Sequence, residues 1–128
     1  MTARTRILFV DDEPPVLTAI ERQLRRDRGR WDMVFALGGE RGLDEVHKGC
    51  FTVVVSDLRM PNVDGVKLLN AIGEACPATV RIMLSGDAEA STISRAVPAL
   101  HCLLTKPCDS ATLRHAIERA IDAAPQHC

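Results

Sequence analysis

One stretch of the sequence decides the fold: Val53-Val54-Val55-Ser56-Asp57-Leu58-Arg59-Met60-Pro61. Three consecutive β-branched apolar residues are typical of a strand that is buried on both faces of a parallel sheet. The strand ends at Asp57, and Pro61 follows within four residues, where it prevents a central strand from continuing. We therefore expect Asp57 at the carboxyl end of a buried strand, which is the usual ligand position in an open α/β sheet.

Strand-length apolar runs and helical patterns alternate along the whole chain. Strands are predicted at 7–10, 33–37, 51–56, 80–84 and 102–104. Helices are predicted at 14–28, at about 40–48, around 66–72, at about 88–97, and after an N-cap at Asp109. Five strands alternating with five helices predict a doubly wound α/β fold with helices on both faces of a parallel sheet. Right-handed crossovers favour the flavodoxin-like strand order 2-1-3-4-5.

Length and composition narrow the function classes. The 128 residues carry a formal net charge of −1 and predict a single domain at 1–125, with 126–128 as a tail or the start of a linker. A near-neutral charge gives no reason to expect nucleic acid or an acidic membrane as a partner. The apolar runs are too short to span a bilayer, and the N-terminus lacks a signal peptide, so we expect a cytoplasmic protein.

The cysteines are expected to be reduced thiols. Their number is odd and no C-x-x-C pair occurs, which argues against a disulfide framework or a zinc site. They are widely spaced, at Cys50, Cys76, Cys102, Cys108 and Cys128.

The predicted sheet gathers polar side chains at one edge. Asp11 and Asp12 follow the first strand, Asp57 and Ser85 end the third and fourth, and Lys106 follows the fifth. Three neighbouring carboxylates repel one another by roughly several kcal/mol at ~4 Å, and one lysine cannot balance them. Either one carboxylate stays protonated or a cation neutralises them. A divalent metal ion is the more economical answer, and all-oxygen ligands suit Mg²⁺ or Mn²⁺.

Such a set of groups fits phosphoryl transfer. Asp57 would attack phosphorus and form an acyl phosphate, while the metal and Lys106 neutralise the phosphoryl oxygens and Ser85 donates a hydrogen bond. Taken singly, each residue has an ordinary structural alternative, such as a helix cap, a turn or a surface lysine. Asp64-Gly65 is predicted to form only a turn. Those alternatives do not explain why all the groups lie at one edge.

Four ordered motifs make the chain resemble the receiver domain of two-component response regulators. The resemblance spans residues 6 to about 122, and its motifs are Val10-Asp11-Asp12-Glu13, Asp57-Leu58-Arg59-Met60-Pro61 with Asp64-Gly65, Leu84-Ser85-Gly86 and Lys106-Pro107. It implies Mg²⁺ bound by Asp12 and Asp57, by Asp11 through water, and by the main-chain carbonyl of Arg59. It also implies phosphotransfer to Asp57 from a histidine kinase or phosphotransfer protein, slow self-catalysed dephosphorylation, and a cis peptide between Lys106 and Pro107.

The chain departs from the receiver pattern at two positions. Leu103 stands where receivers commonly carry a Tyr or Phe that moves with the Ser/Thr, and Cys108 stands where Phe is common. The Lys-Pro-Cys-Asp and Arg-Met-Pro sequences resemble receivers linked to HD-type phosphodiesterase outputs. Arg59 and Asp87, each two residues beyond a site residue, are placed either to gate the attacking water or to pair with each other and shield the phosphoryl group.

The output is predicted to contact the face formed by the fourth helix, fifth strand and fifth helix (α4-β5-α5), because phosphate binding near Ser85 needs a bistable element to read it out. The basic and acidic residues that pair across this face in DNA-binding dimers are not evident in the sequence. The sequence does not decide whether the chain forms a homodimer. The predicted face includes Ser91, Ser94, Arg95, His101 and Cys102.

Two other functions remain as alternatives to the phosphorylation-switched receiver, which is not itself a turnover enzyme. The first is a pseudo-receiver that binds proteins without being phosphorylated. The intact acid pair, Asp57, Ser85 and Lys106 argue against it. The second is an aspartate-nucleophile phosphohydrolase. Such enzymes place an acid/base carboxylate two residues after the nucleophile, and this chain has Arg59 there.

Overall fold

Five parallel strands form one sheet in the computed structural model, which describes residues 5–86, 93, 95–97 and 100–124. The strands are β1 (Thr5–Asp11), β2 (Trp31–Leu37), β3 (Val53–Asp57), β4 (Val80–Ser85) and β5 (Leu100–Thr105). Their order is β2-β1-β3-β4-β5, which confirms the predicted fold. The helices are α1 (Pro14–Gln23), α2 (Gly39–Lys48), α3 (Gly65–Ala75) and a C-terminal helix (Ser110–Ala123).

Alternate residues of the central strands enter two apolar layers. Phe9 and Val55 pack with the residues of α1 and the C-terminal helix, whereas Val10 and Val54 pack with those of α2 and α3. Full burial of each such side chain stabilises the fold by roughly 1.5–3 kcal/mol. Because β1 and β3 are covered on both faces, the residues that end them occupy fixed positions.

The first helix ends earlier than predicted. It stops at Gln23, and a one-turn 3₁₀ helix follows at Arg25–Asp27, so the prediction of a helix to residue 28 is wrong. The reason is Asp27, which is 3% exposed and turns inward. Its carboxylate accepts hydrogen bonds at 2.9 Å from Nε of Arg114 and at 2.8 Å from Nη2 of Arg30.

The expectation that every cysteine is an unpaired thiol is also wrong. Cys50 and Cys76 form a disulfide, whereas Cys102 and Cys108 are free. Cys50 precedes β3 and Cys76 follows α3 just before β4, so the two residues meet at the amino ends of neighbouring strands. Val80 N–H donates to the carbonyl of Thr52 at 2.9 Å beside them and holds those ends together.

Most of the fourth predicted helix, at 88–97, lies outside the described residues. Asp87, Ser91, Ser94 and the predicted tail at 126–128 lie outside them entirely. Val97 N–H donates to the Ile93 carbonyl at 2.9 Å, the spacing of a helical hydrogen bond, and both side chains are buried. Within the part of the chain that the structure describes, no helix combines the length and apolar character needed to cross a bilayer.

Replacing Asp27 by Asn should destabilise the fold by about 2–3 kcal/mol at pH 7, because charged hydrogen bonds to two arginines are lost. Burial raises the pKa of Asp27, but the hydrogen bonds and charges of Arg114 and Arg30 outweigh it and leave the pKa below its usual 3.8. Its stabilisation is therefore present above that value and disappears as the pH falls through the folded-state pKa. Urea unfolding at pH 7 and below pH 4 measures both effects.

Asp32→Asn is the matched control, because Asp32 is half-exposed and lies 3.8 Å from Nε of Arg6. A surface pair of this kind contributes less than about 1 kcal/mol. Equal effects of the two substitutions at pH 7 would contradict the role assigned to Asp27.

Candidate functional site

Three carboxylates meet at the carboxyl edge of the sheet. Asp11 ends β1, Asp12 follows it, and Asp57 ends the neighbouring strand β3. One ligand oxygen from each lies within 4.8 Å of the others. Asp11 is 1% exposed and Asp57 is 8% exposed, so two of the three negative charges are shielded from water.

Lys106 reaches these carboxylates from the loop after β5. Its Nζ donates hydrogen bonds to Oδ1 of Asp57 at 2.8 Å and to Oδ2 of Asp11 at 3.3 Å. The Lys106–Pro107 peptide bond is cis, as the resemblance implied, and Lys106 N–H donates to the Ser85 carbonyl at 2.8 Å. The lysine is therefore anchored through its backbone to the end of β4.

The electrostatics of the site follow from burial and from these contacts. Burial raises the pKa of Asp11, and the charge of Asp57 adds to this against the opposing effects of Glu13 N–H and Lys106. Burial lowers the pKa of Lys106, but the hydrogen bond and charge of Asp57 and the charge of Asp11 raise it above its ordinary value. The ammonium is thus held in its charged form by its carboxylate partners.

The donor set fits a divalent cation. When all three carboxylates are ionised, the one ammonium of Lys106 leaves two negative charges uncompensated. Both carboxylate oxygens of Asp11 already accept hydrogen bonds, Oδ1 from Glu13 N–H at 2.9 Å and Oδ2 from Nζ of Lys106 at 3.3 Å. The side chain of Asp12 is only half-buried and so is reached by water. Oxygen ligands alone, few in number and open to water on one side, are the type that Mg²⁺ prefers.

The Asp64-Gly65 pair does more than form the plain turn predicted from the sequence. Asp64 is the N-cap of α3 and accepts from Lys67 N–H at 2.9 Å. A Cβ at Gly65 would collide with the Asp57 carbonyl oxygen, so only glycine lets α3 start this close to the end of β3. The spacing of an Asp before an apolar helix was a cap signal that could have been recognised.

The remaining predicted residues lie around this edge. Ser85 ends β4 and is 2% exposed, while Arg59 is exposed in the loop after β3. Leu103 is half-buried and packs on the α2/α3 side of the sheet, whereas Cys108 packs on the opposite side. Sequence reasoning missed Ser56, whose hydroxyl donates to the Asp57 carbonyl at 2.8 Å from a buried position.

Comparison with known proteins gives consistent matches over nearly the whole chain. The response regulator receiver domain family matches residues 7–118. The two-component response regulator ORR26 of Oryza sativa subsp. japonica is 35% identical over 113 residues, which are 86% of this chain and 19% of that protein. The first curated relatives are much longer than this chain, which spans 14–26% of their length.

Solved structures of receiver domains superpose closely. The signal receiver domain of an HD domain-containing protein from Pseudomonas fluorescens Pf-5 gives a TM-score of 0.85 at 28% identity, covering 94% of this chain and 96% of that chain. A response regulator receiver domain protein from Clostridium thermocellum gives a TM-score of 0.83 at 28% identity, covering 92% of this chain and 94% of that chain. The likeness therefore extends to sequence and fold together.

Mg²⁺ should stabilise the folded protein, because only the folded chain brings the three carboxylates together. At a free Mg²⁺ concentration of ten times Kd, the free energy of unfolding should increase by about 1.4 kcal/mol. Thermal unfolding over a Mg²⁺ titration measures it. Asp12→Asn should abolish most of the gain, whereas Asp44→Asn on α2, away from the cluster, should leave it intact. A gain that survives Asp12→Asn would place the cation elsewhere.

Proposed function

Because this chain belongs to the response regulator receiver domain family, we propose that it is a signalling module switched by phosphorylation of Asp57. Receivers of two-component systems act as phosphoacceptors rather than as turnover enzymes. One observation carries the proposal: the Asp57 carboxylate ends a buried strand, 2.8 Å from Nζ of Lys106 and beside two further carboxylates. A capping or turn role for Asp57 would need none of these neighbours.

Asp12 and Asp57 are the proposed direct ligands of Mg²⁺, with Asp11 acting through water and the Arg59 carbonyl completing the protein ligands. Mn²⁺ would suit the same oxygen set. When bound, the metal supplies positive charge to the phosphoryl oxygens and offsets the repulsion among the carboxylates. The cluster of oxygens within 4.8 Å supports this assignment.

The proposed reaction transfers a phosphoryl group from a phosphohistidine. A carboxylate oxygen of Asp57 attacks phosphorus, the P–N bond breaks, and the imidazole leaves with that electron pair. Lys106 exchanges its contact with Asp57 for one with a phosphoryl oxygen, and the buried Ser85 hydroxyl donates to another. Water then slowly attacks the phosphorus of the acyl phosphate, the bond between phosphorus and the Asp57 oxygen breaks, and inorganic phosphate leaves, which restores the Asp57 carboxylate.

The proposed partners follow from the same chemistry. A histidine kinase or phosphotransfer protein supplies the phosphoryl group, as in a phosphorelay in the cytoplasm, and an output domain or partner protein reads the result. Residues 1–125 form one receiver domain in this proposal. The likeness to the receiver of an HD domain-containing protein supports an HD-type output. No direct contact of this chain with nucleic acid is part of the proposal, in line with its near-neutral charge.

Incubation with acetyl phosphate and Mg²⁺ should add one phosphoryl group, seen as an increase of about 80 Da in the intact mass. Asp57→Asn should not acquire it, because the amide oxygen is a poor nucleophile. Asp64→Asn is a control, since its side chain caps α3 and lies outside the carboxylate cluster.

The same experiment separates the alternatives. Steady release of phosphate without a persistent adduct would support the phosphohydrolase, although Arg59 occupies the position of its acid/base carboxylate. Absence of both adduct and release in the folded protein would support a pseudo-receiver and overturn the proposal.

Arg59→Ala should shorten the half-life of the phosphorylated form, because the exposed arginine follows Asp57 by two residues, where it would shield the phosphoryl group from water. We expect about a fivefold effect, the size of one partly exposed charge interaction. Asp87→Ala is tested in parallel, and Lys67→Ala on α3 is the control for loss of a nearby cation. An unchanged half-life in both Arg59→Ala and Asp87→Ala would remove this role.

A further inference from the structure

A disulfide lies at the edge of the sheet opposite to the carboxylates, where the phosphorylation chemistry does not use it. It joins Cys50, just before β3, to Cys76, just after α3, over a separation of 26 residues. The loop closed by this bond, residues 50–76, contains the whole of β3 with Asp57 and the whole of α3. The cross-link therefore encloses the segment that carries the proposed phosphoacceptor.

Hydrogen bonds hold this edge together independently of the cross-link. Besides the bond from Val80 N–H to Thr52, the Thr79 hydroxyl donates to the Phe51 carbonyl at 2.6 Å, and Thr52 N–H donates to the Arg6 carbonyl at 2.9 Å. Thr79 is 3% exposed, so water does not compete for its hydrogen bond. We therefore expect the two cysteines to stay close together in the reduced protein, where they can form the bond again.

The domain does not need a disulfide to compensate for a small core. Small secreted domains depend on such bonds because they bury too little apolar surface, whereas this sheet has an apolar layer on each face. Cys102 and Cys108 are free and half-buried. Free thiols beside a single disulfide are not the pattern of a disulfide scaffold, which pairs its cysteines.

The two bonded cysteines differ in their access to solvent. Cys50 is exposed, whereas Cys76 is 5% exposed and packs on the α2/α3 side of the sheet. The Arg6 guanidinium donates to the Cys50 carbonyl at 3.1 Å, and its Cζ lies 4.2 Å from the centroid of the Phe51 ring. A thiol in solution can therefore reach the bond at Cys50, and the neighbouring cation favours the thiolate form, which is the one that attacks a disulfide.

We propose that Cys50 and Cys76 form a redox modification site that exchanges with thiols and disulfides of the glutathione class, and that the bond stabilises the closed loop around Asp57 against local opening. The inference rests on the proposed function only through its cytoplasmic setting, because disulfides in that compartment are usually transient and redox-sensing. It goes beyond that function by adding oxidation as a second covalent input to the same domain.

The exchange proceeds in two steps. A glutathione thiolate attacks Sγ of Cys50, the S–S bond breaks, and the Cys76 sulfur leaves with the electron pair and takes up a proton. A second glutathione thiolate attacks the glutathione sulfur of the mixed disulfide, which releases the Cys50 thiolate and oxidised glutathione. Two electrons pass from two glutathione molecules to the protein, and the reverse sequence closes the bond.

The redox state of the folded chain in glutathione buffers tests the first part. Free thiols are counted from the mass that iodoacetamide adds after an acid quench and unfolding. In a background of Cys102→Ser, Cys108→Ser and Cys128→Ser, we expect two labelled thiols after millimolar reduced glutathione and none after oxidised glutathione. Cys50→Ser in this background is the matched control, because the remaining Cys76 thiol cannot close the loop. The same change of two thiols in the unsubstituted chain excludes an effect of the serines.

Amide hydrogen exchange in native buffer tests the second part. The amides of Thr52, Thr79 and Val80, beside the bond, should exchange at least about fivefold faster in the reduced protein, because the cross-link no longer restricts opening of the closed loop. The amides of Val34 and Phe35 on β2, outside that loop, should change less than about twofold.

A bond that stays closed in reduced glutathione, thiols that stay open in oxidised glutathione, or equal amide exchange in the two forms would each overturn the inference. The intact mass after acetyl phosphate treatment is recorded for both redox forms. Reversible oxidation without an Asp57 adduct removes only the phosphorylation, and an adduct without reversible oxidation removes only this inference.

Discussion

The site depends on the ion pairs of one lysine with two carboxylates at the ends of adjacent strands. Nζ of Lys106 lies 2.8 Å from Asp57 and 3.3 Å from Asp11. The two strands cannot separate to relieve the repulsion between the acids, since Phe9, Val54 and Val55 are packed on both faces of the sheet. The core therefore holds like charges together that would otherwise move apart, and the positive charge of Lys106 or of a metal ion offsets their repulsion.

The register of the sheet connects these groups. Asp57 pairs with Leu84, and Ser85 pairs with Thr105, which places Lys106 one residue beyond the last pair of β4 and β5. A shift of one residue in either pairing would turn Ser85 or Asp57 to the opposite face of the sheet. The apolar alternation of the strands thus sets the chemistry of the edge as well as the packing of the core.

Local sequence patterns predict the strand centres and the acidic edge because buried parallel strands are continuous apolar runs whose carboxyl ends lie together. They do not predict contacts between distant residues. The turn of Asp27 into the protein depends on Arg114, which is 87 residues away, and so the end of α1 was misplaced. The disulfide was missed for the same reason: Cys50 and Cys76 meet only when β3 and β4 lie side by side. The division of the metal ligands into direct ones, Asp12 and Asp57, and a water-mediated one, Asp11, came from the resemblance and remains a proposal.

Position 103, where an aromatic residue is common in receivers, lies within β5, the strand that leads into Lys106. Leu103 packs on the α2/α3 layer and has no polar atom that could exchange hydrogen bonds, whereas Cys102 and Leu104 point to the layer of the C-terminal helix. The strand is joined to the site at its end by the hydrogen bond from Lys106 N–H to the Ser85 carbonyl. Any displacement of Lys106 or Ser85 therefore acts on the backbone of β5 and on both layers at once.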